Sequence, residues 1–212
     1  MPQKQIEVLV IDDDSIARQG LAYILSKSSE IIIAAEAEDG TEGLREIHEG
    51  TYDVVLLDII MPGKDSLDVL KEAKAAFPKL PVLILTTSRD DNIATRFLRA
   101  GASGFVTKDI SFDQLTMAIK KVYAGEKYLS NELMEKLAYR SLGDNKEPHE
   151  NLTDREYQVM LLIRKGKSPT EMAQELFISP KTVSTHRAHI LKKLNLKSSA
   201  EIMHYCFERK MS

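Results

Sequence analysis

Val54-Val55-Leu56-Leu57-Asp58 is the stretch that decides the fold. Four apolar residues in a row, two of them β-branched, end on a carboxylate. A strand with one wet face would alternate apolar and polar residues. This one is apolar on both faces and must be covered on both. Val82-Leu83-Ile84-Leu85-Thr86 repeats the pattern, and β-rich runs at 7–11, 31–37 and 104–106 complete a set of five. Between and after them, apolar residues recur at helical spacing over 16–25, 41–48, 67–76, 93–100 and 112–124. Five strands alternating with five helices predict an α/β domain, a doubly wound five-stranded parallel sheet over residues 1–125.

The pattern changes after residue 125. A helical stretch over about 131–142 leads into Gly143-Asp144-Asn145-Lys146-Glu147-Pro148-His149-Glu150, polar and carrying both Gly and Pro. Residues 126–150 therefore read as a helical linker. The tail, 151–212, is helical throughout, with legible helix starts. Thr153…Glu156, Ser168…Glu171 and Ser198…Glu201 have the spacing of full capping boxes, and Ser179…Thr182 that of a simpler cap. Pro169 and Pro180 follow two of the caps at the first helical position, where proline loses no hydrogen bond, and Gly166 is placed to end the first helix. Four short helices are predicted, with a tight turn at Phe177-Ile178 between the second and third.

Charge divides at the same place. The chain of 212 residues has a net charge of −3. Residues 1–150 hold 18 Lys+Arg against 26 Asp+Glu, and residues 151–212 hold 11 against 6, so −8 and +5 sum to −3. A basic tail permits contact with a polyanion, although many solvated faces are basic. The single cysteine, Cys206, excludes an internal disulfide and a multi-cysteine metal site. No apolar run approaches the roughly 18–20 residues of a membrane span, and the N-terminus lacks the pattern of a signal peptide, so no membrane partner and a cytoplasmic location are expected.

Ligands of parallel sheets bind beyond the carboxyl ends of the strands. There the first strand ends in Asp12-Asp13-Asp14, the third in Asp58 and the fourth in Thr86, and Lys108 follows the fifth. Crowded carboxylates call for a neutralising cation, and a hard oxygen-liganded ion such as Mg²⁺ is the simplest. Each residue alone has a plain structural use as a cap, strand or loop residue; together they suit phosphoryl transfer to a carboxylate. The segments Val10-Ile11-Asp12-Asp13, Leu56-Leu57-Asp58-Ile59-Ile60-Met61-Pro62-Gly63, Leu85-Thr86 and Gly104-Phe105-Val106-Thr107-Lys108 resemble the receiver domain of two-component response regulators, of flavodoxin-like fold. The resemblance implies that Asp58 is the phosphoacceptor. Asp13, Asp58 and the Ile60 backbone carbonyl would ligate Mg²⁺, with Asp12 acting through water. Lys108 would pair with the phosphoryl group, and Thr86 and Phe105 would form the switch pair. Asp14, where many relatives carry another residue, is expected to alter cation affinity. Ile60 and Thr87 are expected to impede an attacking water and so prolong the phosphorylated state, whereas Ser66 in place of a family glycine changes loop geometry.

Two short helices joined by a tight turn suggest a DNA-binding helix-turn-helix. Val183, Ile190 and Leu194 share one stripe of the third tail helix and should face the tail's own core. Leu152-Thr153-Asp154-Arg155-Glu156, Glu171-Met172-Ala173 and Ile178-Ser179-Pro180-Lys181-Thr182-Val183-Ser184-Thr185-His186 resemble the LuxR-type output domain, so the whole chain is similar to the NarL/FixJ class. That likeness implies base-facing Ser184, Thr185 and Ala188 with Arg187 nearby. It implies phosphate contacts from Lys181, Thr182, His189, Lys192 and Lys193, with Thr170 and His186 as further candidates. A dimer face with Ile202, Tyr205 and Cys206 falls on the last helix, where the same residues could equally pack inside the domain. The expected partners are a sensor histidine kinase, double-stranded DNA with repeated half-sites and, once phosphorylated, a second copy of the chain. Two other readings stay open: a DNA-binding regulator that works without phosphorylation, and an Asp-x-Asp phosphohydrolase using Asp12 and Asp14. No turnover of an external substrate is expected of a regulator.

Overall fold

A computed structural model describes residues 4–62, 64–87, 91–131, 133–135, 147–209 and 211. The chain divides into two compact units, Met1–Ala138 and Tyr139–Ser212.

The first unit runs β1 (Ile6–Ile11), α1 (Ser15–Leu25), β2 (Ile31–Ala37), α2 (Gly40–Glu49), β3 (Val54–Asp58), α3 (Ser66–Ala76), β4 (Val82–Thr86), α4 (Asp91–Arg99), β5 (Gly104–Thr107) and α5 (Phe112–Tyr123). The strands are all parallel in the order β2-β1-β3-β4-β5. Every residue of β3 and β4 is buried, as their unbroken apolar runs require. Val8, Val10, Leu56, Leu83 and Leu85 join Leu21, Leu25, Leu115, Ile119 and Val122 of α1 and α5 in one core cluster. The alternate strand residues Leu9, Ile11, Val55, Leu57 and Ile84 are equally buried and stand on the opposite face. Strand order reverses between β1 and β3, which opens a crevice at their carboxyl ends.

Past α5 the chain turns at Gly125 (φ +86°) and lays a short strap along the free edge of β5. The Tyr128 N–H donates to the Ser103 carbonyl at 3.1 Å, and the Phe105 N–H donates to the Tyr128 carbonyl at 3.0 Å. Lys127 adds a side-chain bond to the Ala102 carbonyl. Only glycine fits opposite this strap, because a Cβ at Gly104 would lie 2.7 Å from the Tyr128 carbonyl oxygen. The strap was not anticipated: part of the expected linker belongs to the sheet. Most of the expected linker helix, residues 132 and 136–142, and residues 143–146 lie outside the described residues.

In the second unit, the first described element is a 3-10 turn, Pro148–Asn151, which straddles the expected end of the linker at 150. Then come α6 (Asp154–Arg164), α7 (Pro169–Glu175), α8 (Pro180–Leu194) and α9 (Ser199–Glu208). Ser and Thr caps start all four helices. Two of the three predicted full boxes form, at Thr153/Glu156 and Ser168/Glu171. The third is half made, because the Glu201 carboxylate accepts from the Lys197 N–H at 2.9 Å instead of from the cap residue. Gly166 (φ +73°) closes α6, and Asn195 (φ +54°), tolerant of the left-handed region, closes α8. Tyr157, Met160, Val183, Ile190, Ile202 and Cys206 are buried in this unit.

Candidate phosphoacceptor site and nucleic-acid interface

β1 and β3 are paired with Ile11 opposite Leu57, so the residues that follow, Asp12 and Asp58, emerge side by side. Asp12 and Asp58 are 1% and 7% exposed, and one oxygen from each of Asp12, Asp13 and Asp58 falls within 4.8 Å of the others. Lys108, just past β5, brings its Nζ to 2.7 Å from Asp12 Oδ2 and 3.4 Å from Asp58 Oδ1. Its own N–H donates to the Thr86 carbonyl at 2.7 Å, which ties the lysine to the end of β4. Burial, with the Asp12 charge in support, pushes the Asp58 carboxyl up to about 6 despite Lys108. Burial and then Asp12 also raise the Asp13 carboxyl. For Lys108, burial favours the neutral amine, but Asp58 and Asp12 outweigh it and raise the ammonium.

Three carboxylates thus face one ammonium, a negative, all-oxygen donor set of the kind that a hard divalent cation satisfies. Asp14 is not among the clustered carboxylates, although its charge also raises Asp13. Its Oδ1 caps α1, accepting from the Ile16 and Ala17 N–H groups at 2.8 and 3.3 Å. Ser66, in the place of the family glycine, is buried and donates its hydroxyl to the Ile59 carbonyl at 2.7 Å. That bond ties the loop after β3 to the start of α3. The Ile60 side chain is 37% exposed beside the site, and Thr87 is exposed. Thr86 and Phe105 are both buried, on adjacent paired strands.

The site also contains a residue that the sequence reading missed. Arg18, on α1, is 7% exposed and donates to the Asp12 carbonyl at 2.6 Å. Its partners lie six to twenty residues away along the chain, and only the sheet brings them together.

In the second unit, α8 presents Lys181, Ser184, Thr185, Ala188, His189, Lys192 and Lys193 to solvent, with Thr182 and Arg187 half-buried. Val183, Ile190 and Leu194 turn inward as their spacing predicts. The Ser184 and Thr185 hydroxyls donate to the Pro180 and Lys181 carbonyls at 3.0 and 3.1 Å, leaving oxygen lone pairs to face outward. Arg187 is held by the Ser199 hydroxyl at 2.6 Å. Thr170 is exposed, and burial lowers the half-buried His186 below its ordinary value.

Lys193 has a partner inside the domain. Its Nζ lies 2.7 Å from Oε2 of Glu156, a carboxylate only 2% exposed, and His189 Nδ1 lies 3.4 Å from Oε1. Burial works to raise Glu156, but Lys193 and the Thr153 N–H hold it below the usual carboxylate range. One side chain therefore caps α6 and pins the far end of α8. Of the two roles expected for the apolar residues of the last helix, packing inside the domain is the one seen in this chain. Ile202, Tyr205 and Cys206 are 0%, 8% and 0% exposed, packed inside the protein, with the Tyr205 hydroxyl 3.2 Å from His149 Nδ1. The large apolar residues that α9 leaves outside are Met203 (40% exposed) and Phe207 (79%).

Comparison with known families divides the chain in the same way. Residues 8–120 match the response regulator receiver domain, and residues 150–206 match the bacterial regulatory proteins of the luxR family. The chain is a LuxR-family response regulator. Over 97% of its length it is 34% identical to the oxygen regulatory protein NreC of Staphylococcus aureus, covering 99% of that protein. The NreC protein of Staphylococcus epidermidis is 33% identical over similar lengths. Among solved structures, this response regulator resembles RcsB of Salmonella enterica serovar Typhimurium bound to promoter rprA with the phosphomimetic BeF₃⁻. That match has 25% identity and a TM-score of 0.66, covering 95% of this chain and 98% of that one. It also resembles the response regulator ChrA of a heme-sensing two-component system, at 32% identity and a TM-score of 0.51 over 97% and 98% of the two chains. The response regulator joins a receiver domain to a LuxR-type DNA-binding domain and belongs to a family of transcription regulators rather than enzymes. Among the described residues, no helix is long and apolar enough to cross a membrane.

Proposed function

We propose that this response regulator is switched by phosphorylation of Asp58 and, when phosphorylated, regulates transcription as a DNA-bound dimer. The observation that carries the reading is the convergence of Asp12, Asp13, Asp58 and Lys108 at the point where strand order reverses. An Asp58 carboxylate oxygen attacks the phosphorus of a phosphohistidine on a partner kinase. The new P–O bond forms as the P–N bond breaks, and the imidazole leaves and takes up a proton from solvent. Asp13, Asp58 and the Ile60 carbonyl would hold Mg²⁺, with Asp12 acting through water; the ion supplies charge neutralisation for the phosphoryl oxygens. Lys108 then exchanges its carboxylate partners for the phosphoryl group. Thr86 turns its hydroxyl toward that group, and Phe105 repacks behind it.

In this reading residues 1–125 form the receiver, 126–150 connect it and 151–212 bind DNA. Ser184, Thr185, Ala188 and Arg187 face the bases of the major groove, and Lys181, Thr182 and Lys192 face phosphates. His189 and Lys193 serve Glu156 first. The dimer contact moves to the outer side of α9, at Met203 and Phe207. The protein works in the cytoplasm, and water on the Asp58 acyl phosphate resets it. Exposure to a small acyl-phosphate donor with Mg²⁺ should add one phosphoryl group by intact mass, and Asp58→Asn should add none. Operator binding by the parent should tighten on phosphorylation. If Asp58→Asn responds like the parent, the protein binds DNA without this switch.

A further inference from the structure

Arg18 is buried behind the acidic site, yet it touches none of the three clustered carboxylates. Three hydrogen bonds hold its guanidinium. Nη1 donates to the Asp12 main-chain carbonyl at 2.6 Å, Nε to Glu36 Oε2 at 3.0 Å and Nη2 to Glu38 Oε1 at 2.8 Å. The two glutamates are open to solvent, with side chains 43% and 74% exposed, whereas the guanidinium they hold is 9% exposed. The Asp12 peptide is gripped from its other side too. Its N–H donates to the Ala37 carbonyl at 3.1 Å, and its own Oδ1 accepts from the Asp14 N–H at 3.0 Å. The turn carrying Asp12 and Asp13 is thus fastened to β2 by one backbone bond and by the fork of Arg18.

Burying a guanidinium is costly unless it is paired and its donors are used. Here two glutamates pair the charge, and the remaining bond goes to the Asp12 carbonyl. A planar fork suits the task because it meets three acceptors in fixed directions, which an ammonium cannot do. We propose that Arg18 is a positioning residue for cation loading. Anchored by Glu36 and Glu38, it holds the Asp12-Asp13 turn so that both carboxylates meet Asp58 around Mg²⁺. The inference rests on the Mg²⁺ site proposed above.

Charge and position predict opposite signs, which makes the idea testable. By Coulomb's law alone, removing a positive charge near the site would strengthen Mg²⁺ binding. If Arg18 positions the turn, removing it weakens binding, as loss of an outer-shell partner does, by roughly tenfold. The experiment is a Mg²⁺ titration of the full chain, followed by amide NMR shifts in the turn at residues 12–14, alongside thermal unfolding. Arg18→Met is expected to raise the Mg²⁺ dissociation constant about tenfold. Arg18→Lys should fall between it and the parent, and Glu36→Gln with Glu38→Gln should weaken binding in the same direction. An unchanged or tighter constant in Arg18→Met would overturn the proposal. If Arg18→Met does not fold, parent-like affinity in both Arg18→Lys and the double glutamine variant overturns it instead. Asp13→Asn is the control for the underlying reading: a parent whose Mg²⁺ shifts survive that change has no such metal site, and both ideas fall together.

Discussion

Lys192 and Lys193 are adjacent and both exposed, but only Lys193 reaches a buried carboxylate, Glu156. Their substitutions should therefore separate. Lys192→Gln should reduce the salt slope of operator binding by about one unit. Lys193→Gln should leave the slope unchanged while lowering stability by about 1–2 kcal/mol in urea unfolding, discounted from a buried pair because Lys193 is 36% exposed. Glu156 adds a pH signature. Its folded value lies below the ordinary 4.5, so its stabilisation is complete above about 4.5 and is lost as pH falls through the folded value. In Glu156→Gln that acid-side loss of stability should shrink, as read from urea midpoints across a pH series. At the other site, Ile60 offers water no hydrogen bond. Ile60→Asn should shorten the lifetime of phosphorylated Asp58, about tenfold if the amide lowers the barrier by about 1.4 kcal/mol. An unchanged dephosphorylation rate would remove that role. Asp12, Asp13, Asp58, Thr86 and Lys108 were legible because each follows or ends an apolar strand. Arg18 and Glu156 were not, because their importance lies in partners supplied by other elements.

At the scale of elements, strands and helix starts could be read in advance because their signals are local: unbroken apolar runs, helical spacing, and Ser or Thr three residues before a partner. The strap on β5 carries no such signal. It is a single bridge, between Gly104 and Tyr128, and its stability comes from the edge it covers. Gly104→Ala should push it away, since the new Cβ would also lie 2.7 Å from Leu83 Cδ1. A loss of about 1–3 kcal/mol is expected in thermal unfolding, with faster hydrogen exchange at Phe105 and Tyr128. Unchanged exchange at those two amides would show that the strap tolerates the methyl group. The half-made cap at Ser198 carries a related lesson. Spacing nominated Glu201, but the neighbouring Lys197 N–H competes for the same carboxylate. Phe177 goes further against local preference, holding φ +53° in the helix-turn-helix turn, where Ile178 N–H closes onto the Ala173 carbonyl at 2.9 Å.

For the whole molecule, the measurable quantity is the coupling between the proposed Asp58 switch and DNA affinity. A hundredfold tightening on phosphorylation corresponds to about 2.7 kcal/mol of differential stabilisation between two states. BeF₃⁻ with Mg²⁺ should reproduce that tightening in the parent, and Asp58→Ala should abolish it, in operator titrations at fixed salt. Equal affinities with and without BeF₃⁻ would leave a DNA-binding protein with no such coupling. By itself the sequence determined the two-part design, the parallel sheet, the acidic strand ends and the helix starts, because apolar periodicity and capping act over a few residues. Only the tertiary structure decided which charges are already spent. Asp14 goes to a helix cap, Lys193 to Glu156 and Arg18 to the Asp12 carbonyl, while the inner side of α9 goes to the core. The physical reason is that a charged group's role depends on its nearest partner in space, and folding chooses that partner.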